Sequence, residues 1–216
     1  MIKDLFAKRF VTDYDLKKAD VIVPLTLYKE SFYLSDQKAC RMCNTVRPYK
    51  DDCDEENLRV EVKKDEEVTV INFEAFLNQF ANALDKYSLK RCDYILVDDT
   101  DSHRKFAFCD LTCSASKYVE GVTGKRSKAM LQMKESLKSL LTVDVLNQYV
   151  LTFQKKVFLF GWRESPMPKD EPRRNDPLAN MSVFNRTPSS ESRTLEYEVF
   201  YGFSFIQVKY PARYQW

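Results

Sequence analysis

The spacing of apolar positions changes several times along the chain, and each change marks an element. Val21 to Tyr28 (VIVPLTLY) is an extended apolar run interrupted by Pro24. Proline cannot donate to a sheet ladder, so an edge strand is expected there. Leu58 to Val62 (LRVEV) alternates, and Glu67 to Asn72 alternates again. Together they predict a hairpin turning near Lys64–Asp65. From Asn72 the period lengthens. Phe73, Phe76, Leu77, Phe80 and Leu84 recur at helical spacing and predict a helix over 72–87. Asp93 to Asp98 (DYILVD) and Lys105 to Cys113 (KFAFCDLTC) read as two strands, paired antiparallel across a polar turn from Asp98 to His103.

A second helix is expected after Gly124, over 125–142. Met130, Met133, Leu137 and Leu140 form its inward stripe, with Lys125, Lys128, Gln132 and Glu135 on a neighbouring one. Val143 to Phe153 continues in helical pattern, and Lys156 to Trp162 (KVFLFGW) reads as a strand. Glu196 to Tyr210 closes the chain as one or two strands. Residues 37–57 are polar, with Pro48 and an acidic run from Asp51 to Glu56, and read as a loop or small insertion. Ser165 to Arg193, rich in Pro, Ser, Asn and charge, reads as a long loop. No internal repeat is present. The pattern predicts a mixed α/β (α+β) fold with a central mixed sheet flanked by helices. Residues 1–57 form an N-terminal extension packed on a 58–216 domain, or the whole chain is one domain.

Composition narrows the function classes. The chain has 216 residues, 44% of them apolar and 13% aromatic, with only 4 glycines. That is enough for a filled core and excludes global disorder. Neither GxGxxG nor GxxxxGK[ST] occurs, which removes the main support for a dinucleotide fold or a P-loop. With one histidine, His103, a two-histidine metal site is impossible. Charge is balanced at +2 overall, and its local concentration lies between Lys117 and Lys138. No apolar run reaches the roughly 18–20 residues that span a bilayer, so no membrane partner is expected. The start, MIKDLFAKRF, lacks a signal-peptide core, and a cytoplasmic location with reduced thiols is the expectation. Cys40 and Cys43 form a C-x-x-C, followed by Cys53. They offer three ligands for a structural zinc, with Cys92, Cys109, Cys113 or His103 as the fourth. Incidental buried thiols are the alternative.

Two carboxylates stand out. Asp110 interrupts the apolar strand FAFCDLTC, where a branched aliphatic residue would suit the pattern. Burying a carboxylate there is costly without a partner. Phe108, Asp110 and Thr112 share one face of that strand, and Cys109, Leu111 and Cys113 the other. Asp93 opens the preceding strand, so pairing brings the two acids together. Facing carboxylates repel unless a proton or cation lies between them, and Mg²⁺ or Mn²⁺ suits oxygen-only ligands.

The order of helix, strand opening on Asp93 (RCDYILVDD), strand with Asp110 (FAFCDLT) and helix with Gln132 (AMLQMKESL) resembles the PD-(D/E)xK nuclease superfamily over residues 58–162. The resemblance implies a restriction-endonuclease-like core in which Asp93 and Asp110 hold a divalent metal. It implies that Gln132 supports the site and that Glu74 supplies a further acid. The activity implied is metal-dependent phosphodiester hydrolysis, in DNA processing or in defence against foreign DNA. The family places a lysine two residues after the second acid, where this chain has Thr112, and Cys92 stands where proline precedes the first. Lys125 or Lys128 of the following helix would then supply the cation that stabilises a phosphoryl transition state.

Other readings follow from the same residues. Asp93 can serve as a strand-start residue bonding nearby amides, and Asp110 can pair with Lys or Arg. Thr112 then marks an inactive nuclease-fold scaffold that binds a protein partner. A zinc-stabilised adaptor built on Cys40, Cys43 and Cys53 is a third reading.

Overall fold

A computed structural model describes residues 2–16, 18, 20–35, 47–48, 58–64, 66–80, 91–100, 104–113, 119, 122–163 and 198–216. The fold is mixed α and β, in three layers. Its centre is a seven-stranded sheet in the order β1 (Leu25–Tyr28), β5 (Val68–Asn72), β6 (Tyr94–Asp98), β7 (Lys105–Cys113), β8 (Lys155–Arg163), β10 (Phe203–Lys209) and β9 (Glu198–Phe200). β1, β5, β6 and β7 form antiparallel neighbours, whereas β7, β8 and β10 run parallel. The chain turns from β9 into β10 through Tyr201 and Gly202, both at positive φ. Paired left-handed residues match the twist of a tight hairpin, and glycine takes that conformation without strain.

Helices cover one face. The N-terminal α1 is α-helical over Ile2–Asp4, π-helical over Leu5–Phe10 and α-helical again over Val11–Asp13. It inserts Phe6 and Phe10 among Phe73 and Phe76 of α2 (Phe73–Asn78). α2 starts where expected, with the Asn72 side chain accepting from the Ala75 amide at 2.8 Å. Beyond Gln79 and Phe80, the remainder of the expected 72–87 helix, 81–87, lies outside the described residues. α3 (Lys125–Leu141) and α4 (Asp144–Leu151) carry the chain from β7 back to the parallel β8. The inward stripe of α3 is Met133, Leu137 and Leu140, all buried, with Met130 partly so.

A second sheet covers the opposite face, in the order β11 (Arg213–Gln215), β4 (Leu58–Glu61), β2 (Phe32–Leu34) and β3 (Arg47–Pro48). The expected hairpin of Leu58 to Val62 with Glu67 to Asn72 does not form. β4 pairs with β2 and β11, while β5 pairs with β1 and β6. Both segments are strands, but they belong to different layers. Leu58 and Val60 meet Val68 and Val70 within one core between the two sheets, not along a shared ladder. Pro24 precedes β1, and β1 is indeed an edge of the large sheet. All of 165–193, and 37–57 apart from Arg47 and Pro48, lie outside the described residues.

Candidate functional site

The parallel strands β7, β8 and β10 end on the same side of the sheet, where antiparallel β6 begins. Sheet geometry therefore brings the carboxyl ends of three strands to the residues that open β6. Such ends are where open α/β sheets bind ligands.

Asp93 lies one residue before β6, in a bend. The last paired residues of β6 and β7 are Tyr94 and Cys109, so one further step would set Asp93 opposite Asp110. Asp93 leaves the ladder at that step. Its amide donates to the Cys109 carbonyl at 3.1 Å, and its carboxylate accepts the Leu111 amide at 2.7 Å. Asp93 thus brackets Asp110, with its backbone amide bonded to Cys109 on one side and its carboxylate to Leu111 on the other. The Asp93 carbonyl accepts from the Phe73 and Glu74 amides at 2.9 and 3.2 Å, which fixes the start of α2 against this point.

Asp110 is buried on the helix-covered face, in line with Phe106 and Phe108. Cys109 and Leu111 point to the other core, as the alternation of the strand requires. Thr112 is also buried on the helix side, in register with Trp162 of β8. The adjoining thiols respond to the same crowding of acids. Burial pushes the Cys92 thiol well above its ordinary range; the charges of Asp110 and Asp93 add to this, and a Ser136 hydrogen bond opposes it. Cys109 is raised first by burial, then by Asp93 and Asp110. Both thiols are free, and burial favours their protonated form. Cys40, Cys43, Cys53 and His103 lie outside the described residues, as does the Cys113 side chain.

α3 is latched to the entrance of β6 by two polar residues one turn apart. Gln132 donates to the Arg91 carbonyl at 3.0 Å. Ser136 accepts the Cys92 amide at 2.8 Å and donates to the Gln132 carbonyl at 2.8 Å. Glu74 is buried, with its carboxylate 3.7 Å from the Arg91 guanidinium. Gln132, Glu74, Asp93 and Asp110 are therefore gathered at one end of the sheet. Lys125 and Lys128 start the same helix but are exposed. Among the described residues, no group of three or more His, Cys, Asp and Glu side chains is set to hold a metal. The acids that do gather offer only oxygen, which fits a hard divalent cation and not a thiophilic one. Among the described residues no helix is long and apolar enough to cross a membrane.

Sequence pattern does not single out Arg91 or Ser136 as site residues. The serine has a signal: it sits four residues after Gln132, on the same helical face. Arg91 has none, because its place depends on chain segments distant in sequence. No family model, curated protein or solved structure matches the chain.

Proposed function

We propose that the protein is a metal-dependent phosphodiesterase acting on nucleic acid, with Asp93 and Asp110 as ligands of a Mg²⁺ or Mn²⁺ ion. The observation that carries this reading is the closure of the Asp93 carboxylate onto the backbone around Asp110, at the carboxyl ends of three parallel strands. Neighbouring carboxylates repel unless a proton or a cation lies between them, and a hard divalent ion would serve. When bound, the metal supplies Lewis-acid polarisation of a phosphoryl oxygen and a more acidic water. The protein's part is positional. The Leu111 amide fixes one Asp93 oxygen, the Asp93 backbone ties α2 to the site, and Gln132 holds α3 against the entrance of β6. Glu74 adds negative charge at the margin, tempered by Arg91. Lys125 and Lys128 would meet substrate from outside, without touching the acids.

A second reading, the inactive scaffold, is favoured by Thr112 and by the engagement of Asp93 with a protein amide. Titration calorimetry with Mn²⁺ and Mg²⁺ separates the two. Binding by the wild type that is lost in Asp110→Ala, with both proteins folded by circular dichroism, supports the enzyme. A folded wild type that binds neither ion, with or without an added oligonucleotide, leaves the scaffold.

A further inference from the structure

The amino ends of the parallel strands carry the opposite charge from their carboxyl ends. Arg104 precedes β7, and Lys155 and Lys156 open β8. Arg104 stands about 20 Å along β7 from Asp110 at the ordinary rise of a strand. Lys156 pairs with Phe106 of β7 and with Phe203 of β10. Both rings lie in the helix-side core, so Lys156 projects from that face. Its ammonium lies over the Phe203 ring, 6.0 Å from the ring centre. It also borders the turn between β9 and β10, where a Cβ added to Gly202 would lie 3.5 Å from the Lys156 Nζ. Arg104 reaches the same side, with its guanidinium 5.2 Å from the centre of the Phe153 ring. Phe153 and Phe203 both pack on Phe106, their ring centres 5.3 and 6.3 Å from its own. Two cations are thus propped on two arms of one buried ring cluster.

Arg104 carries the second observation. Its Nε is buried and has no hydrogen-bond acceptor among the described residues. Buried donors are nearly always matched. Neither Arg104 nor Lys156 takes part in an ion pair among the described residues. One acid borders them. Asp98 pairs with Lys105 at the end of the β6–β7 ladder, and one further step sets Asp99 beside Arg104. Asp99 is exposed, and its carboxylate accepts from the Tyr149 hydroxyl at 3.0 Å. Two ring-supported cations therefore face one acid that solvent screens.

We infer that Arg104 and Lys156 bind a phosphate group at the amino ends of β7 and β8. A guanidinium presents paired donors that match phosphate oxygens, and an ammonium adds a compact charge. A ring face holds each cation in place without neutralising it. The phosphate belongs either to a small phosphorylated molecule or to a nucleic-acid backbone. The recognition chemistry is the same for both, and the test separates them. The site is remote from Asp93 and Asp110 and depends on neither metal nor turnover.

The test uses the full chain in chelator, with two probes. Inorganic phosphate is titrated by calorimetry, and fluorescein-labelled oligonucleotides, single-stranded and duplex, are bound over a series of salt concentrations. Arg104→Gln and Lys156→Gln are each expected to weaken binding of at least one probe about tenfold, the loss of a charge-assisted contact. Arg104→Lys keeps the charge without the fork and should recover part of the affinity. Lys155 is the control. It lies two residues before Val157 of the sheet-side core and so projects from the other face. Lys155→Gln should leave binding within about twofold, because a screened charge acts weakly. Lost phosphate affinity with an unchanged oligonucleotide salt slope assigns a small phosphorylated ligand. A slope lower by about 0.9 for a duplex or about 0.7 for a single strand assigns a backbone phosphate. Arg104→Gln and Lys156→Gln proteins that are folded by circular dichroism and bind both probes like the wild type overturn the inference. A wild type that binds neither probe also overturns it, as does an equal loss in Lys155→Gln, which would reduce the effect to general charge. Because chelator removes metal, loss of metal binding in Asp110→Ala bears on the proposed activity alone.

Discussion

The two faces of the central sheet are built from the same strands and solve different problems. On the face toward the second sheet, β7 presents Ala107, Cys109 and Leu111, and β8 presents Val157, Leu159 and Gly161. Flat strands pack there on flat strands, and no polar residue is needed. On the helix face the same strands present Phe106 and Phe108, then Phe158 and Phe160, filling the uneven space beneath helices with rings. Toward the strand ends that row turns polar, at Asp110 and Thr112. A sheet can seal its partner along the whole strand. A helix seals it only where its apolar stripe reaches, and the gap at one end is where acids can collect.

The largest expected effect breaks the aromatic side. The Phe108 ring lies 5.2, 5.9 and 5.7 Å from those of Phe106, Phe158 and Phe203. Phe108→Ala should cost about 3–5 kcal/mol, since large buried rings leave cavities that neighbouring rings cannot fill. For a chain of this size that lowers Tm by roughly 6–20 °C in calorimetry. A drop under about 2 °C would mean that the helix side is loosely packed.

Next comes the closest approach on the other side. A Cβ added to Gly161 would lie 2.7 Å from Leu111 Cδ2 and 2.9 Å from Leu58 Cβ. The first can swing away, but the second is fixed to the backbone of β4. Gly161→Ala should therefore cost about 1–3 kcal/mol by overpacking. Chemical unfolding curves with an unchanged slope and a lower midpoint would reveal it. A neutral result would show that the two sheets can separate slightly without loss.

Much of this architecture is legible in the sequence, and the failures have a common cause. Alternation and helical spacing locate β6, β7, α3 and β8 within a residue or two of their limits, because one buried face per element suffices to write a period. Period does not say which strands are partners. LRVEV and the β5 segment carry the alternation of a hairpin but meet face to face. Ile2, Phe6 and Phe10 recur every fourth residue, a helical signal that charged neighbours obscure. The site divides the same way. The approach of Asp93 to Asp110 follows from adjacent strands, so local reading finds it. The parallel register of β7, β8 and β10, which sets the other strand ends beside these acids, is encoded by no local pattern.

A smaller effect compares the faces through two thiols. Cys92 belongs to the helix-side core and Cys109 to the sheet-side core, and burial raises both well above the ordinary thiol value of 9.0. Below that pH both states hold their protons and the stability is complete. Above it the unfolded chain loses thiol protons that the folded chain keeps, so stability falls as pH rises. Each thiol contributes up to about 1.4 kcal/mol per pH unit in that window. Urea midpoints measured below and above this ordinary thiol value should converge when Cys92 or Cys109 is replaced by Ala. Equal convergence marks both cores as equally dry at this level. A weaker effect for Cys92 would mean that water reaches the helix side from the polar end.

The smallest effect on stability should come from Asp93→Asn. The asparagine oxygen can still accept the Leu111 amide, which the native carboxylate takes at 2.7 Å. Only the charge goes, and with it the repulsion from Asp110, so unfolding free energy should move by less than about 1 kcal/mol. Asp93→Ala differs by leaving the amide of buried Leu111 without its acceptor, at a cost of about 1–3 kcal/mol. Under the proposed function both substitutions abolish calorimetric Mn²⁺ binding, although one is nearly silent in stability. If Asp93→Asn kept full metal affinity, Asp93 would be a structural clasp and nothing more. The polar end of the helix face would then differ from the sheet face in packing alone.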